Sequence, residues 1–541
     1  MLKNPIIPGF NPDPCIVRVG DDYYIVTSTF EWFPGVPLYH SRDLKNWRLV
    51  RNLLDTKEYL DVRGVAPSEG VWAPGLSYST VEKRFYLAYS IVHCRNKYLM
   101  DVDNYIIWAE DPAGEWSKPL YVNSSGFDPY LFCDDDGRKW LVNKDRDFRP
   151  ANIEVRPIII QEFDEKKGGL VGEPISLING FTRRKFGEAP FIYKRNNWYY
   201  LVLAEGGTGY AHCASMGRSR SVTGPYEPSP YNPIVTCAPG DFEQSEGNPG
   251  VMPERYNPDL IIQKAGHGTI VETQNGECYL SHLCGRPILP QLRCILGRET
   301  AIQRMEWTDD NWLTIVGGGN LAKDEVLQPN LAEHPFPKEP ERCVFDGGVL
   351  NPKFITAHGD IQPDWLKLPE EGGLHLRGRE TLSSNFDTSL IAQRLTAFRA
   401  QATTKLNFEP TDYHHLAGIT CIYSSSKHYC AYKTFDDKKG VAVLSVYGFE
   451  YGEMTDYGVS IVVPAEAPVY LRAEIDSADL RFSYSLDDKT YEPLGGVLDM
   501  TILSDEVGGR SFTGSMVGMF VQDIHTKSKW ARFDYFELTE V

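Results

Sequence analysis

The chain has 541 residues, 42% apolar and 24% charged, with a net charge of −18. That balance predicts a soluble globular protein and excludes a nucleic-acid partner, because a strongly negative surface repels another polyanion. No apolar run reaches the eighteen or more residues of a membrane span, and the opening MLKNPIIPGFNPDP lacks the apolar stretch of a secretory signal. Eleven cysteines without a CxxC pair read as scattered reduced thiols and predict a cytoplasmic location.

No long amphipathic helix pattern is present. A short phrase recurs instead, a polar turn followed by aromatic and aliphatic residues: GDDYYIVTS, EKRFYLAYS, DGRKWLVNK, RNNWYYLVL and NGECYLSHL. Each follows a matching apolar run: PCIVRV, PGLSYS, PYLFCD, PFIYKR and GTIVET. Five strand–turn–strand units predict the five blades of an all-β propeller over residues 1–316. A Gly- and Pro-rich stretch at 317–341 reads as a linker. Beyond it, alternating runs such as GGLHLRG, GVAVLSVYG and VYLRAEID predict a β-sandwich over 342–541.

In a propeller the first strand of each blade lines the central channel, so equivalent strand heads converge. Counting back twelve or thirteen residues from Ile25, Leu87, Leu141, Leu201 and Leu280 gives Asp13, Pro74, Asp128, Glu188 and His267. Any one of the acids alone reads as a cap on a strand head. Three converging carboxylates cost electrostatic energy, which is tolerated mainly where shifted pKa values are used. Two carboxyls flanking a glycosidic bond, one donating a proton and one activating water or attacking, are the minimum equipment for sugar hydrolysis. His267 at the channel centre reads as a satisfied core histidine, a substrate neighbour or a calcium ligand. Phe30 and Trp72, near the same strand ends, suit a sugar pocket. Arg298 offers a fixed planar cation for sugar hydroxyls or a ring carboxylate. No cofactor is required by this chemistry, with Ca2+ at the propeller centre as the one candidate.

The phrases FNPDPCIV, STFEWFPGV, GVWAPGLSY, GFDPYLF, GEAPFIY, GHGTIVETQNG and LGRETAIQ resemble glycoside hydrolase family 43, in its β-xylosidase and α-L-arabinofuranosidase branch. The resemblance covers nearly the whole chain. It implies an inverting exo-hydrolase that releases D-xylose or L-arabinose from short oligosaccharides, with a predominantly arabinofuranosidase activity as the alternative. It further implies Asp13 as general base, Glu188 as general acid and Asp128 as the group that tunes and orients the acid. Phe127 and Thr208 join the pocket residues by the same resemblance. So does Phe512, on a sandwich loop GGRSFTGSMVG that reaches over the propeller mouth. Homo-oligomer formation is left open.

Two departures stand out. Gly75 replaces an acidic residue that often follows WAP in the family. Arg146 stands where related xylosidases can place a tryptophan, which bears on the leaving-group side. A retaining fructan-type propeller hydrolase fits less well, since WMNDP-like phrases are missing. A non-catalytic sugar-binding propeller would have lost one of the acids.

Overall fold

A computed structural model describes residues 1–96, 99–149, 156–244, 251–508 and 511–541. Gly509 and Arg510 of the GGRSFTGSMVG loop, and Pro150 of LVNKDRDFRP, lie outside the described residues. Among the described residues the chain is almost all β, with helix confined to short 3-10 turns such as Glu165–Lys167. No helix among them is long and apolar enough to cross a membrane.

The five hairpin phrases open five antiparallel sheets whose strands pair in chain order. Their innermost strands are Cys15–Val19, Gly70–Ser79, Gly126–Cys133, Glu188–Arg195 and Gln263–Glu272. Each touches the next, and the fifth touches the first, so the blades close into a ring. Alternation explains the packing. In Asp22–Val26 the residues Tyr23, Ile25 and Val26 are buried while Asp22 and Tyr24 are only partly covered.

Closure is secured at the seam between the fifth and first blades. The Thr269 hydroxyl donates to the Pro14 carbonyl at 3.2 Å and accepts from the Ile16 N–H at 3.1 Å. Leu2–Lys3 pairs with Glu325–Val326, so part of the 317–341 segment belongs to the propeller seam. Its Gly and Pro content had masked that two-residue strand. The fold is thus a five-bladed propeller followed by a sandwich.

Hairpin register corrects the ring read from the sequence. Ile16 pairs with Ile25, Leu76 with Leu87, Leu131 with Leu141, Ile192 with Leu201 and Ile270 with Leu280. Three residues ahead of each inner partner lie Asp13, Ala73, Asp128, Ala189 and His267, with φ of 56°, 36°, 57°, 49° and 58°. All five share the left-handed region. Pro74 and Glu188 are therefore each one residue out of the equivalence, and Trp72 and Glu188 share the position just before it. The hairpin turns differ in length, so a fixed count back slips by one in the second and fourth blades.

The second domain packs two antiparallel sheets face to face. The strand Val469–Asp476 of one sheet alternates buried and part-exposed residues, and its inward Leu471 and Ala473 share a core with Ile419, Val517 and Met519 of the other. The two domains are fused rather than tethered. Trp32–Phe33 pairs with Thr356–Ala357, and propeller residues Ile295 and Leu296 insert into the sandwich core. A second apolar cluster joins Phe10, Phe30 and Trp32 of the propeller to Ile355, Leu390 and Phe520 of the sandwich.

Candidate active site

The left-handed backbone turns each strand head toward the channel, and for non-glycine residues it is costly. Asp adopts it more readily than Ala, so the strain is greatest at Ala73 and Ala189. Side chains of neighbouring blades hold both. The Ala73 N–H donates to Ser28 Oγ at 2.7 Å, and the Ser28 hydroxyl donates to Asp13 Oδ2 at 2.7 Å. The Ala189 N–H donates to Asp128 Oδ2 at 3.0 Å. Asp13 thus reaches the strained peptide of the next blade through Ser28, whereas Asp128 holds that of its neighbour directly, one residue past Glu188.

The three carboxyls sit in different fields. Asp13 is buried, but Arg298 Nη1 lies 3.6 Å and His267 Nδ1 3.7 Å from its Oδ1. Burial pushes its pKa up; Arg298, His267 and the Ser28 hydrogen bond outweigh that and hold the carboxyl below its ordinary value. Glu188 is half-buried, and burial together with the Asp13 charge pushes it up to about 7 against the pull of Lys144, Arg298 and Arg146. Asp128 is buried and raised well above 3.8 by burial, by Glu188 and by Asp13. Asp128 and Glu188 titrate as a pair that resists carrying two negative charges.

An aromatic wall stands beside the acids. Phe30 and Trp72 ring centroids are 6.3 Å apart, and Trp72 meets Phe127 edge-on at 5.7 Å. Phe512, from the sandwich, lies 5.8 Å from Phe30 and 5.9 Å from Trp72. The Phe512 N–H donates to Ser68 Oγ at 3.0 Å, and Arg298 donates to the Phe512 carbonyl at 3.2 Å. A propeller site thus receives one ring from the second domain. Behind that loop, Lys264 Nζ is 2.6 Å from Glu506 and 3.6 Å from Asp505, a buried ion cluster pinning the sandwich to the fifth blade. Thr208 is half-buried in the connection from Trp198–Glu205 to Cys213–Ser219, and among the described residues no hydrogen bond ties it to the carboxyls.

Sequence reading missed Lys144, Ser28 and His212. Lys144 is buried opposite Phe127, its pKa pushed down to about 8 by burial. His212 is buried, held near 3 by burial, with Nδ1 donating to the Lys264 carbonyl at 3.0 Å. A Cβ on Gly266 would come within 2.5 Å of its ring, so only glycine fits beside His267. His212 stands four residues after Thr208, in the same phrase EGGTGYAH, which was the available signal.

The departures have structural readings. A Cβ at Gly75 would lie 2.7 Å from the Pro129 carbonyl, so the strand there presses directly on the third blade. Arg146 donates to the Asn96 carbonyl at 3.1 Å, and its charge reaches Glu188. For calcium at His267, the ring supplies one open donor: Nε2 is buried without a hydrogen-bond partner. Calcium takes six to eight oxygens, and among the described residues no cluster of His, Cys, Asp or Glu ligands forms around His267. The residues present do not build that cage.

The family profile of glycosyl hydrolases family 43 matches residues 2–313. The chain belongs to that family. A second profile, the β-xylosidase C-terminal concanavalin A-like domain, matches residues 342–539. This family-43 glycoside hydrolase is 42% identical to xylosidase/arabinosidase 43B of Humicola insolens, covering 99% of this chain and 97% of that one. It is 41% identical to a xylan 1,3-β-xylosidase of a Vibrio species, covering 100% and 99%. Among solved structures, a xylan β-1,4-xylosidase from Bacillus halodurans C-125 superposes with a TM-score of 0.93 at 43% identity, each chain covered completely.

Proposed function

We propose that this family-43 hydrolase removes single D-xylose, and to a lesser extent L-arabinose, units from the non-reducing ends of short oligosaccharides with inversion. The observation that carries the reading is the unequal treatment of two carboxyls in one channel. Asp13 lies within 3.7 Å of Arg298 and His267, whereas Glu188 is held protonated up to about 7. Opposed environments of this kind separate a base from an acid.

Asp13 takes a proton from a water whose oxygen attacks the anomeric carbon. The bond from that carbon to the leaving oxygen breaks, and Glu188 delivers its proton to that oxygen. Asp128 holds the backbone beside Glu188 and titrates with it as a pair that resists two negative charges, so a proton stays on the pair. Phe30, Trp72 and Phe512 offer faces for one sugar ring, and the Phe512 loop walls the channel so that a chain end enters. Xylose as the preferred sugar is supported by the names of the Humicola, Vibrio and Bacillus relatives, a xylosidase/arabinosidase, a 1,3-β-xylosidase and a β-1,4-xylosidase. All eleven cysteines are free thiols, which supports a reducing compartment such as the cytoplasm.

The test is a panel of nitrophenyl β-D-xyloside, nitrophenyl α-L-arabinofuranoside, and β-1,4- and β-1,3-xylobiose, followed by proton NMR. The α anomer of xylose should appear first. A first-formed β anomer, or turnover of the arabinofuranoside alone, overturns the assignment.

A further inference from the structure

Far from the channel, two connections at one end of the sandwich bring two imidazoles and a carboxylate together. Asp412 and His414 precede the strand His415–Ser424, and His525 lies in the turn after Met516–Asp523. His414 Nδ1 is 2.6 Å from Asp412 Oδ1, and His525 Nδ1 is 3.2 Å from Asp412 Oδ2. One ligand atom from each of the three side chains lies within 4.8 Å of the others.

Both connections are held in place from beneath. Buried Asp523 accepts the N–H groups of His525 at 3.1 Å, Thr526 at 2.9 Å and Ser528 at 2.9 Å, fixing the turn that carries His525. Asp412 accepts the His414 N–H at 2.8 Å, so one carboxylate shapes its own loop and faces both rings. The next residue, His415, points its Nε2 to within 3.8 Å of Asp523 and finds no hydrogen-bond partner for it.

We propose that Asp412, His414 and His525 form a binding site for a divalent transition metal, with zinc as the best-matched ion. Two imidazole nitrogens and one carboxylate suit zinc, whereas calcium and magnesium prefer all-oxygen cages. Three protein ligands leave the fourth tetrahedral position to water. Each ring binds the metal through Nδ1 in the tautomer that carries its one proton on Nε2, so the Nδ1 hydrogen bonds to Asp412 give way to metal bonds and each imidazole stays neutral. Bonds of about 2.0–2.1 Å place two nitrogen ligands no more than roughly 4.2 Å apart. Exposed His525 reaches that spacing by side-chain rotation. The ion would tie the two connections together. Met516–Asp523 runs from the Phe512 loop to this cluster, and an eight-residue strand spans about 26 Å. The site therefore bears on the sandwich's stability and not on the chemistry.

The experiment uses the full chain, stripped with EDTA and desalted, titrated with zinc chloride by calorimetry and with cobalt chloride by visible absorption. One zinc per chain, a higher thermal midpoint with zinc and cobalt ligand-field bands are expected. The His414→Ala/His525→Ala double variant should bind zinc at least about 100-fold more weakly and lose the bands. It should keep the wild-type midpoint in EDTA and the wild-type kcat/KM on nitrophenyl xyloside. Undiminished zinc binding by the double variant would place the ion elsewhere, and no binding at micromolar zinc would leave a plain His–Asp–His hydrogen-bonded cluster; either overturns the proposal.

Discussion

The carboxylate of Asp128 accepts the main-chain N–H of Ala189 at 3.0 Å, one residue past Glu188. One group thus does two things to the proposed acid: it fixes the backbone beside it and places near it a second carboxyl that resists being charged at the same time. The two effects are separable. Asp128→Asn keeps an oxygen for Ala189 and removes the charge, so the alkaline limb of the pH–rate profile should move below about 7 with kcat down roughly 100-fold. Asp128→Ala should shift the limb equally and lose about another 10-fold, the worth of one hydrogen bond. A rise in KM alone, with the limb unmoved, would make Asp128 a binding residue.

Lys144 pulls Glu188 the other way, since its cation favours the charged carboxylate. Lys144→Met should therefore move the alkaline limb above 7, opposite in sign to Asp128→Asn. The acid limb, set by Asp13 below its ordinary value, should stay in place in both variants. Profiles of kcat/KM against pH on nitrophenyl xyloside check both directions.

Phe512 is carried by the sandwich yet lies against Phe30 and Trp72. Phe512→Ala should lower kcat/KM on xylobiose by roughly 10- to 100-fold, chiefly through KM, as a stacking face is lost. Lys264→Ala strands Glu506 and Asp505 without their cation, and loss of one partner of a buried pair costs about 3–5 kcal/mol. Its thermal midpoint should fall and its KM rise together. A chain stopped at residue 341 should aggregate, because Phe10, Phe30 and Trp32 lose their cover. A soluble truncation with unchanged kcat/KM would show that the sandwich is an independent appendage.

Restoring the family's acid at Gly75 should not restore anything here. A Cβ would meet the Pro129 carbonyl at 2.7 Å, and overpacking of this kind costs about 1–3 kcal/mol. Gly75→Asp should therefore unfold at lower denaturant, as equilibrium unfolding by fluorescence will report. An unchanged midpoint would mean that the blades part easily at this point.

Glu31 supplies a pH test of stability. It is buried, Oε1 lacks a hydrogen-bond partner, and burial pushes its pKa up to about 8. The unfolded carboxyl releases its proton near 4.5, so between those values the folded state holds the extra proton and stability falls as pH rises. Glu31→Gln removes this contribution and should raise stability at pH 8 by an amount on the order of a few kcal/mol, with little change at pH 4.5. Equal pH slopes in variant and wild type would show that Glu31 is ionised in the fold.

The repeated hairpin phrase, the three acids and the second domain's alternating runs were legible in the sequence because each is local. A polar turn followed by aliphatics needs no distant partner to be recognised, and a carboxylate beside a proline is conspicuous. The register of the ring was not legible. Hairpin turns vary by up to two residues, so only the paired strands show that Asp13, Ala73, Asp128, Ala189 and His267 are equivalent and that Glu188 precedes its equivalent by one. The field around each acid was also beyond sequence. Asp13 and Arg298 are 285 positions apart in the chain, yet closure of the last blade on the first brings them to 3.6 Å. Lys144 looks in sequence like an ordinary strand-end lysine, and only its burial opposite Phe127 makes its charge felt at Glu188. Sequence determined which chemical groups are available; the closing of the ring and the docking of the sandwich decided which of them share a field, because electrostatics and packing depend on distance in space and not along the chain.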